Sequence, residues 1–222
     1  MRKIILDTET TGLDYNDDRI IEIACLEIID DSFTGKKYHQ YFNPGDIIIS
    51  KQAEQIHGLN NQFLNKYKTF DESLNEFIEF IDGSPLIIHN AQFDLSMINS
   101  ALKREKRSLI SRDTSICTLE MAKKKFPGSK NNLNALCRRF NIGLESREKH
   151  GALTDCFLLL RVFIELIGGR QEKLNFLINQ AKESEETKKV KRDPLLIPVS
   201  KEEETLHLEM LRDIPNPIWK MN

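Results

Sequence analysis

The stretch Arg2-Lys3-Ile4-Ile5-Leu6-Asp7-Thr8-Glu9-Thr10-Thr11-Gly12 decides how this chain folds. Its aliphatic run reads as a buried first strand over residues 2–8. Residues two apart on a strand share a face, so Asp7 and Glu9 project together from its end. Two adjacent carboxylates repel, and burial makes that worse. The pair is tolerable where cations neutralise it, and Gly12 then lets the chain turn away. A solvated strand end with ordinary acids is the blander reading, and the buried run before it weighs against that.

Working outward, residues 20–29 read as a second strand. A turn over Asp30–Gly35 then leads into a third strand from Lys36 to Phe42, closed by Asn43-Pro44-Gly45. Short helices are expected at 51–56 and 60–66. Leu74, Phe77, Ile78 and Ile81 predict a helix over 70–81. A buried strand at 86–89 precedes a helix over 93–106. A brief strand at 113–116 precedes helices at 117–126, 131–140 and 151–167, the last stopped by Gly168-Gly169. An antiparallel start followed by alternating helices and strands is the α/β class with a mixed sheet.

The chain has 222 residues, 40% of them hydrophobic and 30% charged. That suits one domain with a real core plus a tail. No apolar run reaches the length of a membrane span and Met1-Arg2-Lys3 opens no secretory pattern, so no membrane role is expected. Cys25, Cys117, Cys137 and Cys156 lack zinc spacing and suit the thiols of a reducing cytoplasm. The net charge of −2 gives no overall field for nucleic acid. Basic clusters at Lys103-Arg104-Lys106-Arg107, Lys123–Lys125, Arg138-Arg139 and Arg147 with Lys149 read mostly as solvated helix faces.

Two further segments carry chemistry. In His89-Asn90-Ala91-Gln92-Phe93-Asp94, the Asp opens a helix, where a negative charge is favoured. Alone it reads as a plain cap, and His89 reads as structural. In His150-Gly151-Ala152-Leu153-Thr154-Asp155, the Asp lies in the first turns of a mostly apolar helix, where a buried carboxylate wants a cation or a donor. His150 stands just before it. Four carboxylates with no Lys or Arg inside these motifs suggest two hard divalent ions, Mg²⁺ or Mn²⁺ rather than zinc. Such a pair clamps both oxygens of an in-line phosphoryl displacement.

These residues resemble the DEDDh exonucleases, and within them the proofreading subunits of bacterial replicative DNA polymerases. The resemblance runs over Asp7-x-Glu9-Thr10-Thr11-Gly12, Gln55-Ile56-His57-Gly58, Asn90-Ala91-x-Phe93-Asp94, Asp113-Thr114, Phe126-Pro127-Gly128, Leu136-Cys137 and His150-Gly151-Ala152-Leu153-x-Asp155. It spans residues 2 to about 170 in the family's order and spacing. It implies a ribonuclease H-like fold: a five-stranded mixed sheet flanked by helices, with a C-terminal tail. It implies that Asp7, Glu9, Asp94 and Asp155 bind two ions, and that His150 is the general base. It places Asp7, Glu9 and Asp155 against the substrate, and His57 against the terminal nucleotide. The blander reading of His57 is a helix-end His. Where the family often has a Glu touching the sugar, this chain has Gln52, which keeps a hydrogen bond but no charge.

The resemblance implies an exonuclease domain over 1–181, a charged linker over 182–193 and a polymerase-binding tail over 194–222. Its substrate would be a single-stranded or frayed DNA 3′ end, and its partner the polymerase catalytic subunit. Ser200-Lys201-Glu202-Glu203 reads as a capping box opening that tail's amphipathic helix. Gln171-x-x-Leu174-x-Phe176 resembles peptides that dock on the bacterial sliding clamp, against the alternative that Leu174 and Phe176 finish the core. Other readings are an RNA exonuclease of the same superfamily, an inactive module bridging clamp and polymerase, and a structural protein with a cation-stabilised core.

Overall fold

The computed structural model describes residues 1–144, 150–168 and 199–214. The chain divides into two compact units, Met1–Phe176 and Leu177–Asn222. The first is built on five strands: β1 (Arg2–Thr10), β2 (Ile20–Ile29), β3 (Ser32–Tyr41), β4 (Leu86–Ile88) and β5 (Ser115–Cys117). They form one sheet in the order β3-β2-β1-β4-β5. The first three are antiparallel neighbours, whereas β4 runs parallel to β1 and β5 parallel to β4. Its helices are α1 (Lys51–His57), α2 (Asn61–Leu64), α3 (Phe70–Ile81), α4 (Ala91–Arg104), α5 (Thr118–Lys125), α6 (Leu133–Arg139) and α7 (Ala152–Leu166). The ribonuclease H-like α/β expectation is therefore met.

The third strand corrects the sequence reading. Asp30 and Asp31 both take positive φ, 49° and 61°, the pattern of a two-residue hairpin turn. β3 therefore starts at Ser32 rather than Lys36. Gly35, at φ 91°, lies where the β2–β3 register shifts between Leu26 and Ile28. It marks a bulge inside the strand, not the end of a turn.

Two apolar layers enclose the sheet. On one face Ile4, Leu6, Ile23 and Cys25 pack with Leu74 and Phe77 of α3 and Ile98 of α4. On the other, Ile5, Ala24, Leu26 and Ile87 meet Ala152, Cys156, Leu159 and Phe163 of α7. The Cys156 thiol donates to the Ala24 carbonyl at 3.2 Å, so α7 lies close on the sheet and fixes the depth of its N-terminus. All four cysteines are buried thiols.

Within the second unit, α8 (Lys201–Asp213) opens on the expected capping box: the Ser200 side chain accepts from the Glu203 amide, and Glu203 reaches back to the Ser200 amide. Leu206 and Met210, one turn apart, are exposed. Residues 169–198, which include the clamp-like peptide and both expected domain boundaries, lie outside the described residues. No helix among the described residues is long and apolar enough to cross a membrane.

Candidate active site

The site forms just beyond the end of β4, where its parallel neighbour β1 runs on to Thr10. In open α/β sheets the crevice beyond the carboxyl ends of parallel strands takes ligands. β1 delivers Asp7 and Glu9 there on the face that packs against α7. The β1–β2 register shifts between Glu9 and Thr10, so the strand bends just past the second carboxylate. The chain then turns through Gly12. A Cβ at that position would collide with the Asp18 carboxylate, which accepts from the Thr11 hydroxyl (2.6 Å) and the Asp14 amide (2.8 Å).

β4 delivers Asp94. Asn90, at φ 67°, turns the chain sharply from the strand into α4 and makes no side-chain cap. Asp94 is the fourth residue of α4, so it is not a cap either. Its carboxylate is 4% exposed and accepts from the Thr8 hydroxyl at 2.7 Å. Burial pushes its pKa up to about 7 against the opposing pull of the Thr8 bond. Asp7 is raised well above the usual carboxylate range, first by burial and then by Asp94, Asp155, Glu9 and Glu22. Asp155, in the first turn of α7, is also 4% exposed. The four predicted carboxylates therefore converge, and their charges are felt at Asp7.

Ligand atoms of Glu9, His150 and Asp155 all lie within 4.8 Å of one another. His150 Nδ1 is 3.4 Å from Asp155 Oδ2, and the ring is 41% exposed. The His150 amide donates to the Ile56 carbonyl at the end of α1 (3.0 Å). At the other end of α1, the Ser50 amide donates to the Thr11 carbonyl (3.0 Å). Thus α1 spans from the end of β1 to the His150 backbone.

His57, the last residue of α1, is buried and accepts the Leu59 amide at Nδ1 (3.0 Å). The neutral ring then carries its proton on Nε2. Burial lowers its pKa, with the Thr10 carbonyl, Glu22 and Glu54 pulling the other way. Nε2 is buried and meets no hydrogen-bond partner within ordinary geometry. Gln52 is exposed on the first turn of α1. His89 Nδ1 pairs with the Thr118 hydroxyl (2.9 Å), and burial lowers its pKa to about 4 against the pull of the Asn131 backbone and the Asp155 charge.

Sequence reasoning missed Glu22. It sits directly across β2 from Glu9, 3% exposed, and pairs with His39 Nε2 at 2.7 Å. The available signal was one carboxylate in the apolar run Ile20-Ile21-Glu22-Ile23.

Buried carboxylates held ionised at one point require positive charge, and the atoms offered are hard oxygens with one imidazole. This donor set fits divalent metal ions. The fold and this constellation define the DEDDh class of nuclease. The profile of the RNase_T exonuclease family matches residues 4–163, and the chain belongs to that family. Membership carries a dependence on divalent cations.

More particular relatives share three quarters of the chain or more. It is 41% identical over 223 residues to DNA polymerase III subunit epsilon of Rickettsia conorii, covering 96% of each. With the same subunit of Escherichia coli it is 38% identical over 178 residues, covering 76% of this chain and 72% of that one. Among solved structures, Exonuclease X in complex with 5′ overhanging duplex DNA has 25% identity and a TM-score of 0.60, covering 75% of this chain and 91% of that one.

Proposed function

We propose that this chain is the proofreading 3′→5′ exonuclease subunit of a replicative DNA polymerase, acting in the cytoplasm. The observation that carries the reading is the convergence of Asp7, Glu9, Asp94 and Asp155 beside His150. It stands on a chain of which 96% aligns with an epsilon subunit at 41% identity.

Asp7, Glu9, Asp94 and Asp155 would hold two divalent ions, Mg²⁺ or Mn²⁺. When bound, the ions supply charge stabilisation for the attacking and leaving oxygens. His150 takes a proton from the attacking water. The water oxygen would bond to the terminal phosphorus as the P–O3′ bond breaks; the 3′ oxygen stays on the shortened strand and takes up a proton from solvent, and a nucleoside 5′-monophosphate leaves. His57 offers its Nε2 proton to the terminal nucleotide. Gln52, exposed at the start of α1, hydrogen-bonds the sugar. Asp7, Glu9 and Asp155 also meet the substrate, a single-stranded or frayed DNA 3′ end.

Residues 1–181 form the nuclease domain, 182–193 the linker, and 194–222 bind the polymerase catalytic subunit. The exposed Leu206 and Met210 on α8 support that last role. Gln171, Leu174 and Phe176 dock on the sliding clamp.

The test incubates the protein with a 3′-mismatched primer–template, with Mg²⁺ and with chelator, beside Asp155→Ala. Metal-dependent laddering from the 3′ end, lost in the variant, is expected. Release of no mononucleotide under any divalent ion would leave a bridging module instead. A matched RNA strand degraded as fast as DNA would favour the RNA exonuclease reading. Deleting 183–222 should spare nuclease activity and abolish co-purification with the polymerase subunit.

A further inference from the structure

β2 carries two buried carboxylates, and the chain answers only one of them with Arg and Lys. Glu27, 4% exposed, meets the Arg2 guanidinium at 2.6 Å, the Thr34 hydroxyl at 2.9 Å and Lys36 Nζ at 3.6 Å. Glu22, 3% exposed, is met at Oε1 by His39 Nε2 at 2.7 Å. Among the described residues its carboxylate has no other bonding partner, so Oε2 is left to accept from something else.

The surroundings of Glu22 add charge of the same sign. Glu9 lies directly across the β1–β2 pair, and carboxylates facing each other across strands repel. Facing side chains start from Cβ atoms about 4.5–5.5 Å apart, so the two groups share one patch of the sheet. The Glu22 charge reaches Asp7, where it adds to burial in raising the pKa, and it reaches His57, where it works against burial. On the far side, Tyr41 faces Glu22 across the β2–β3 pair and packs against the His39 ring with centroids 5.1 Å apart. The imidazole, and through it the carboxylate, is therefore held in one orientation. A buried carboxylate and its partner that served packing alone could be replaced by apolar residues at no loss of stability. Keeping one beside the ligand carboxylates serves the ions they bind: groups just outside a metal's ligands orient those ligands and accept from its waters.

We infer that Glu22 is a positioning residue of the metal site: fixed by His39, it accepts a hydrogen bond from water on the ion that Glu9 holds, and its charge raises the affinity for that ion. The inference rests on Glu9 as a metal ligand, part of the exonuclease reading.

Glu22→Gln keeps the shape of the side chain and an acceptor for His39, and removes the charge. Titration of the full-length protein with Mn²⁺ alone, followed by the electron paramagnetic resonance signal of the free ion, should show binding weakened roughly 10- to 100-fold. Glu22→Asp, which keeps the charge, should bind Mn²⁺ more tightly than Glu22→Gln. Glu27→Gln, equally buried on the same strand, should bind Mn²⁺ as the wild type does. On an oligothymidylate, the rate lost in Glu22→Gln should return as Mn²⁺ approaches saturation, with KM for the strand unchanged. Undiminished Mn²⁺ binding in Glu22→Gln overturns the inference. Equal weakening in Glu27→Gln does so too, because it would reflect a general loosening of β2. A rate loss that saturating Mn²⁺ leaves in place, or a rise in KM alone, would assign Glu22 to the chemistry or to His57 instead. If the wild type binds Mn²⁺ but releases no nucleotide, the exonuclease reading fails, and the titration still decides Glu22.

Discussion

The two ends of β1 treat charge in opposite ways. At its start, Arg2 meets Glu27 at 2.6 Å and donates to the Ile81 and Phe80 carbonyls, while Lys3 meets Asp31 at 2.7 Å. The Arg2 guanidinium and the Thr34 hydroxyl hold the Glu27 carboxyl below the usual range. At its finish, Asp7 and Asp94 are pushed up, and the neighbours that act on Asp7 are themselves carboxylates. One end is neutralised by the chain itself. The other is built to be neutralised by something that binds. Ordinary folding stability would favour the first solution at both ends, so the second marks where stability has been traded for chemistry.

The largest effect that could break this contrast is on turnover. Asp155→Ala should lower the rate of mononucleotide release by roughly 10³-fold or more, since stabilising the displaced charge contributes several kcal/mol. Near-wild-type turnover would mean the finish of β1 is not the working end.

A pH series sharpens it next. Asp94 binds its proton more tightly in the fold (about 7) than in an unfolded chain (3.8). Between those values the folded state carries the extra proton, so stability of the metal-free protein should fall as pH rises from about 4 to 7. Asp94 alone contributes up to about 1.4 kcal/mol per pH unit to this slope, and the raised Asp7 adds to it. Asp94→Asn should flatten it, and saturating Mg²⁺ should remove it in the wild type. An unchanged slope in Asp94→Asn would assign the proton elsewhere.

The start of β1 should behave otherwise. Arg2→Met should lower Tm by roughly 5 °C or more, equally with and without Mg²⁺, because it leaves Glu27 and two carbonyls short of a donor. A metal-dependent loss would blur the two ends. Smallest is Asp7→Ala. Without metal it should raise Tm by roughly 2 °C through relief of like charge, and with Mg²⁺ it should gain less than the wild type. Equal metal-induced shifts would tell against Asp7 as a ligand.

The finish of β1 was legible in the sequence because two rules converge on it. Period-two alternation puts Asp7 and Glu9 on one face, and the preceding aliphatic run buries them. α3 and α7 were legible to within a residue because their apolar spacing and caps are local. Three things were not. β3 hid its first residues because Thr34-Gly35 resembles a turn, while the true turn uses Asp30-Asp31, both left-handed, with no glycine to mark it. Asp94 taken alone reads as a cap; it became a ligand candidate only beside the other motifs, and its contact with Thr8 leaves no local trace. Glu22 and His39, seventeen residues apart, meet on the diagonal of the β2–β3 pairing, which leaves no local trace.

His150 and Asp155 sit five residues apart in sequence yet answer to different supports. The Asp155 amide is bonded to Gly151 within the helix α7, whereas the His150 amide is bonded to Ile56 of α1. The proposed base can therefore be displaced while the ligand shell stays intact. A small molecule that pried α1 from the His150 backbone would disarm the enzyme with its ions still bound. Such an inhibitor would show itself by retained metal affinity and lost turnover, a profile no chelator would share, and excess substrate would not restore the rate as it does against a substrate mimic.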